Sequence, residues 1–147
     1  MAGFKFRLQS YLNVKEKIED QKKLDYGKAL NKLEEEKREK VLLENEKSMN
    51  VHKFRESIKG GIKPLELQNY NNYIEYMKKK IAEQDIVIDI AQQNAEKCRV
   101  ELVEAMKNRK MLETLKEKDR EEYNKEQLLA EQKIVDEIVS YQYNDGG

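Results

Sequence analysis

The sequence predicts an all-α protein in which two long helices form an antiparallel coiled-coil hairpin, the second helix longer than the first. Three observations carry that expectation. An apolar stripe with helical spacing runs through the second half of the chain. Residues that stop and restart a helix gather in one short stretch near the middle. The two terminal segments carry opposite charge.

Composition sets the frame. Charged residues make up 39% of the 147 positions, apolar residues 38% and aromatics 7%, with no Trp. The apolar share is below the ~45–50% of ordinary globular domains, while abundance of Lys, Glu, Leu and Ala with helical periodicity marks coiled coils. High charge with low hydrophobicity also marks disordered chains, so periodicity has to separate the two.

In the first segment, Phe4, Leu8, Tyr11, Leu12 and Ile18 begin a stripe that Leu30 and Leu33 continue. A polar run at residues 34–40 then leads into Val41, Leu42 and Leu43, and Val51, Phe54 and Ile58 restore the three- and four-residue spacing. Gly27 interrupts this segment at a cost of about 1 kcal/mol relative to Ala, a weak point rather than an end. The pattern predicts helix one over about residues 4–58.

The stretch SIKGGIKPLELQNY, residues 57–70, holds two of the six glycines and the lone proline. Gly60 or Gly61 suits the left-handed residue that closes a helix, and Lys59 complements the negative end of the helix dipole. Pro64 cannot continue the first helix but fits the first turn of a second, with Glu66 as a favourable acid. A turn over about 59–64 is short enough to make the two helices antiparallel neighbours.

The second segment has the clearest register. From Tyr70 the steps reach Ile74, Met77, Ile81, Gln84, Ile88, Ala91, Ala95, Cys98, Leu102, Ala105, Arg109 and Leu112, with eleven of thirteen positions apolar. That spacing puts them on one narrow face, the seam of a coiled coil, and a disordered chain has no reason to hold it. Beyond Leu112 the apolar pattern shifts through Leu115, Tyr123, Leu128, Val135 and Ile138. Helix two is expected over about 65–140, with a short flexible tail at 141–147, and the whole chain as a single hairpin domain.

Charge gives an independent reason for the hairpin. Residues 1–23 hold six basic and three acidic side chains, net +3, whereas residues 113–147 hold five basic and ten acidic, net −5. A hairpin brings these segments together, and exposed pairs of ~0.3–0.5 kcal/mol each select orientation more than they stabilise. With arms of these lengths the paired part would span roughly 80 Å, and helix two would overhang by roughly 30 Å.

Catalytic constellations do not emerge. His52 has neighbours that offer neither ligand nor nucleophile, and Cys98 falls on the seam as a small packed residue rather than a reactive thiol. IKGGIKP lacks the length and the Lys-Ser/Thr end of a phosphate cradle, and neither a GxGxxG nor a CxxC motif is present. The chain is thus expected to be no enzyme and to bind no cofactor or metal. Basic and acidic residues balance at 29 each, which removes the electrostatic footprint of a nucleic-acid binder. No apolar run approaches the ~18 residues of a membrane span. A lone cysteine fits a reducing compartment, and the expected location is the cytoplasm.

Some apolar groups exceed what one seam can hide. Phe4 and Phe6 bracket Lys5, Leu42 adjoins Leu43, Ile86 adjoins Val87, and Tyr70, Tyr73 and Tyr76 cannot share one face. Their bunching fits either binding surfaces or irregular packing. Lys78, Lys79 and Lys80 fit a solvated face with stems around Met77 and Ile81, or contact with an acidic protein or membrane surface.

FKFRLQSYLNVKEKIED at 4–20, with its Phe-x-Phe-x-Leu start, resembles the opening of the flagellar FliJ family. The stretch 108–138 is similar to that family in Arg109, Lys110, Leu112, Glu113 and Leu115, then Tyr123, then Gln132, Lys133, Asp136 and Glu137. The length and two-helix layout agree over the whole chain, while residues 30–100 match only as coiled coil. The resemblance implies a non-catalytic part of the flagellar type III export apparatus, serving flagellum assembly and so motility. It would act like the central stalk of a rotary ATPase, promoting assembly of the export ATPase ring and contacting the membrane export gate and export chaperones, without inserting into the membrane. It implies a peripheral position at the inner face of the cell membrane.

Under that resemblance Phe4, Phe6, Arg7, Leu8, Tyr123, Gln132, Asp136 and Glu137 are the expected ring contacts. Leu42, Leu43, Phe54, Tyr70, Tyr73 and Tyr76 are candidate gate contacts, chosen for their apolar character near the turn. The competing classes are a holdase-like chaperone or generic scaffold, and a cytoskeletal coiled coil dimerising in parallel.

Overall fold

The computed structural model describes residues 3–146. Two helices make up the fold, α1 (Gln9–Ser57, 49 residues) and the longer α2 (Pro64–Gly146, 83 residues). They pack as an antiparallel hairpin. The chain divides into two compact units, a loop unit (Lys22–Leu102) and a terminal unit (Met1–Gln21 with Val103–Gly147).

Both helix limits differ from the sequence expectation. α1 begins at Gln9, later than the stripe from Phe4 suggests, because residues 7 and 8 form a turn in which Gln9 N–H bonds the Phe6 carbonyl at 3.1 Å. Phe4 and Phe6 therefore belong to a non-helical lead-in. α2 continues to Gly146 instead of ending near 140, so residues 141–146 are helical, and Gly147 lies outside the described residues.

The turn in the loop unit is built as its residue types dictate. Ser57 Oγ donates to the Phe54 carbonyl at 2.8 Å, and Gly61 N–H bonds the Ile58 carbonyl at 2.9 Å. Gly61 has φ +106°, a conformation that costs a residue with a Cβ about 1–2 kcal/mol. Pro64 is the first residue of α2, with Glu66 in the first turn. Gly61→Ala is accordingly expected to destabilise the protein by about 1 kcal/mol in urea unfolding. Gly60→Ala should move it by less than about 0.5 kcal/mol, since its φ is unexceptional and its Cβ would meet nothing within 4 Å.

All thirteen stripe positions of α2 from Tyr70 to Leu112 are buried or half-buried. The same steps continue inward through Lys116, Asp119, Tyr123 and Gln127, all half-buried, while Leu115 and Leu128 face outward. α1 holds an equally regular inward row: Leu12, Lys15, Glu19, Lys22, Tyr26, Ala29, Leu33, Glu36, Lys40, Leu43, Lys47, Asn50, Phe54 and Ile58, the last just beyond the helix. Every member is buried or half-buried, yet only seven of the fourteen are apolar. Long polar side chains can occupy such positions because their stems pack while their heads reach partners at the edge of the seam.

In the loop unit, Ala29, Leu33, Ala91 and Ala95 form a buried cluster, with Ile88 and Cys98 packed against it. Met77, 1% exposed, is the largest fully buried side chain. In the terminal unit the buried apolar residues are Phe6, Leu12 and Ala105.

Candidate interaction surfaces

Five of the seven polar seam residues of α1, Glu19, Lys22, Glu36, Lys40 and Asn50, find a group on α2. In the loop unit, Lys22 Nζ donates to Glu101 at 3.1 Å, and Lys40 lies 2.6 Å from Asp85. Gln84 Nε2 donates to both the carboxylate and the backbone carbonyl of Glu36, at 2.6 and 2.9 Å. Lys32 sits 2.8 Å from the same carboxylate. Hydrogen bonds from Lys32 and then Gln84 hold the Glu36 carboxyl below its usual range, and the bond to Glu101 raises the Lys22 ammonium. These contacts descend along α1 as they ascend along α2, which is antiparallel pairing read residue by residue.

Nearer the turn, Phe54 and Tyr70 stack with ring centroids 3.6 Å apart and planes 4° from parallel. Asn50 Nδ2 donates to the Tyr73 hydroxyl at 2.5 Å. Phe54, Tyr70 and Tyr73 are thus engaged within the hairpin, each half-buried. Leu43, expected among the exposed apolar groups, is instead buried at 5% exposure because it falls on the inward row of α1. Leu42 beside it is exposed, as is Tyr76, whose ring carries Lys80 Nζ at 5.7 Å.

In the terminal unit, Glu19 is the buried charged residue, 3% exposed, and it receives a hydrogen bond from Arg109 Nε across the helices. Arg109 Nη1 also donates to Glu113 at 2.7 Å. The bonds to Glu19 and then Glu113 push the Arg109 guanidinium above its ordinary range. Toward the N-terminus, Phe4 packs on Tyr123 with centroids 5.6 Å apart and planes at 51°, and Arg120 lies 5.6 Å over the Phe4 ring. Phe6, expected as an exposed contact, is buried at 7%. Its neighbour Arg7 is exposed, and Leu8 is half-buried.

Past this aromatic contact α2 has no partner helix. Every residue from Leu128 to Asn144 is exposed, including Gln132, Asp136 and Glu137. Leu128, Leu129, Ile134, Val135, Ile138, Val139, Tyr141 and Tyr143 are each at least half in solvent. Single exposed apolar residues are ordinary, but here many are gathered on one helical segment, a larger apolar surface than isolated residues make. The unequal arm lengths already predict this overhang from the sequence, and Leu128, Val135 and Ile138 fall within it.

Among the described residues, no group of three or more His, Cys, Asp or Glu is placed to hold a metal ion, and no helix is long and apolar enough to cross a membrane. The arrangement defines a class: an antiparallel helical hairpin with a polar-bridged seam, whose longer helix leaves an end without a partner helix. Within that class the chain belongs to the flagellar FliJ protein family, whose model matches residues 4–147. Membership makes it a component of the flagellar export apparatus. No curated protein and no solved structure matches the chain.

Proposed function

We propose that the protein serves as the central stalk of the flagellar export ATPase ring, promoting ring assembly and linking the ring to the membrane export gate and export chaperones. The carrying observation is the unpartnered end of α2, an apolar helical segment exposed from Leu128 onward, in a member of an export-apparatus family. A stalk needs no catalytic group. It acts by binding alternative ring states with different affinity, which shifts their populations.

The ring-entering surface in this reading is α2 from Tyr123 to Tyr143, with Arg7 and the Phe4–Tyr123 contact beside it. Leu42 and Tyr76, the exposed members of the candidate gate set, face the gate. The protein works in the cytoplasm, held peripherally at the inner face of the membrane through these contacts.

The test mixes the purified chain with its export ATPase and follows oligomerisation and ATP hydrolysis. The native chain is expected to raise both, and a Leu128→Ser, Val135→Ser, Ile138→Ser variant to lose the effect while keeping its helical content. A native chain that changes neither quantity sinks the stalk reading. Broad binding to unfolded clients through the same segment would instead identify a holdase, which the exposed apolar surface also suits.

A further inference from the structure

Besides the stripe that meets α1, the terminal unit carries a second one on α2, turned away from the seam. At 100° per residue, Lys107, Lys110, Thr114, Lys118, Glu121, Lys125, Leu128, Gln132, Val135 and Val139 follow one line, and all are exposed. Met111, 70% exposed, and Asp136 flank it. Neither an ion pair nor a side-chain hydrogen bond engages Lys110, Lys118, Glu121, Lys125 or Asp136 among the described residues. The first half of the stripe is basic and the second half is apolar with Asp136.

We propose that this stripe is self-complementary and that two copies of the free chain pair through it, antiparallel, α2 against α2. A two-fold axis level with residue 123 sets Lys110 opposite Asp136 and Glu121 opposite Lys125, and the symmetry makes each pair occur twice. The same register puts Met111 on Val135, the Lys118 stem on Leu128 and the Lys107 stem on Val139, so the lysines cover apolar groups with their methylenes. Parallel pairing in register would set Lys against Lys at 107, 110, 118 and 125 and Glu against Glu at 121. A slip of one heptad either way separates Lys110 from Asp136. The facing length from Val103 to Tyr143 is about 60 Å of helix, and the pairing covers part of the apolar end that would otherwise stand in water.

The pairing does not depend on the stalk role. It has a consequence for it, because the paired form occupies Gln132 and Asp136, so copies must part before that end meets any other partner.

Sedimentation equilibrium of the full chain at low salt, from micromolar to submillimolar concentration, tests the idea. The native chain is expected to approach twice its monomer mass and to weaken as salt screens the charge pairs. K110E and D136K each place like charges opposite one another and should weaken the dimer by roughly tenfold or more. The two changes together restore opposite charges and should return it to within about threefold of native. A native chain that remains single at every concentration overturns the proposal and leaves the stripe to a different protein. So does a dimer indifferent to K110E and D136K, or one that the combined variant fails to restore. Unchanged circular dichroism in each variant separates lost pairing from lost folding, and the ATPase mixing experiment stands or falls separately.

Discussion

Met77→Ala is expected to lower the stability of the protein by about 2–5 kcal/mol, the usual range for truncating a buried Met or Leu. Met77 is 1% exposed and sits on the inward row of α2 between Ile74 and Ile81, both half-buried. Two helices packed against each other give a thin core, and neighbours attached to rigid helical backbone collapse poorly into a gap. The loss therefore combines transfer and cavity terms. Met111→Ala is the matched control, identical in chemistry but 70% exposed in the native chain, and should change stability by less than about 0.5 kcal/mol. Met77→Leu, close to volume-conserving, should cost less than about 1.5 kcal/mol. Urea unfolding followed by circular dichroism measures all three, and equal losses at Met77 and Met111 would contradict the packing described above.

The second large effect concerns Arg109. Arg109→Met is expected to lower the urea midpoint by an amount second only to Met77→Ala, because it removes the cross-helix guanidinium from Glu19, a carboxylate only 3% exposed. Breaking one side of a buried pair leaves a desolvated charge, whereas replacing both partners with apolar groups of similar volume is often neutral or stabilising. Glu19→Leu added to Arg109→Met should thus recover much of the loss. A double variant showing the simple sum of the two single effects would mean that the pair is not coupled. The pair also opposes one slip of register: sliding α1 by one heptad within the terminal unit so that Glu19 faces Leu102 would leave the carboxylate without a cation, whereas the opposite slip would set it against Lys116. Polar seam residues are best attested in that role.

The hairpin was legible because its signals are local. The α2 stripe, the Gly61 and Pro64 punctuation and the opposite terminal charges each follow from a few neighbouring residues, and each agrees with the others. The row on α1 was legible only in fragments. Tyr11, Ile18 and Leu30 drew attention as apolar, yet they are 51%, 39% and 39% exposed, while Lys15, Glu19, Lys22, Glu36 and Lys40 face inward. A hydrophobic pattern cannot find a row whose members are half polar.

The candidate surfaces divide in the same way. Leu42, Tyr76 and the apolar end of α2 are exposed, but Phe6 and Leu43 are buried, and Phe54 is taken up by Tyr70. Adjacent apolar residues such as Leu42 and Leu43 must point in different directions on a helix, and sequence spacing alone does not say which one meets the partner.

Residue order was enough to specify two helices, the place where they reverse, and membership in a family of export components, because helix propensity, capping and heptad spacing act within a few turns. The side of α1 that faces α2 and the burial of Glu19 beside Arg109 depend on residues up to ninety positions apart. Those choices emerge only when both helices are packed, since a charged side chain can face inward only if its bonding partner arrives from the other helix.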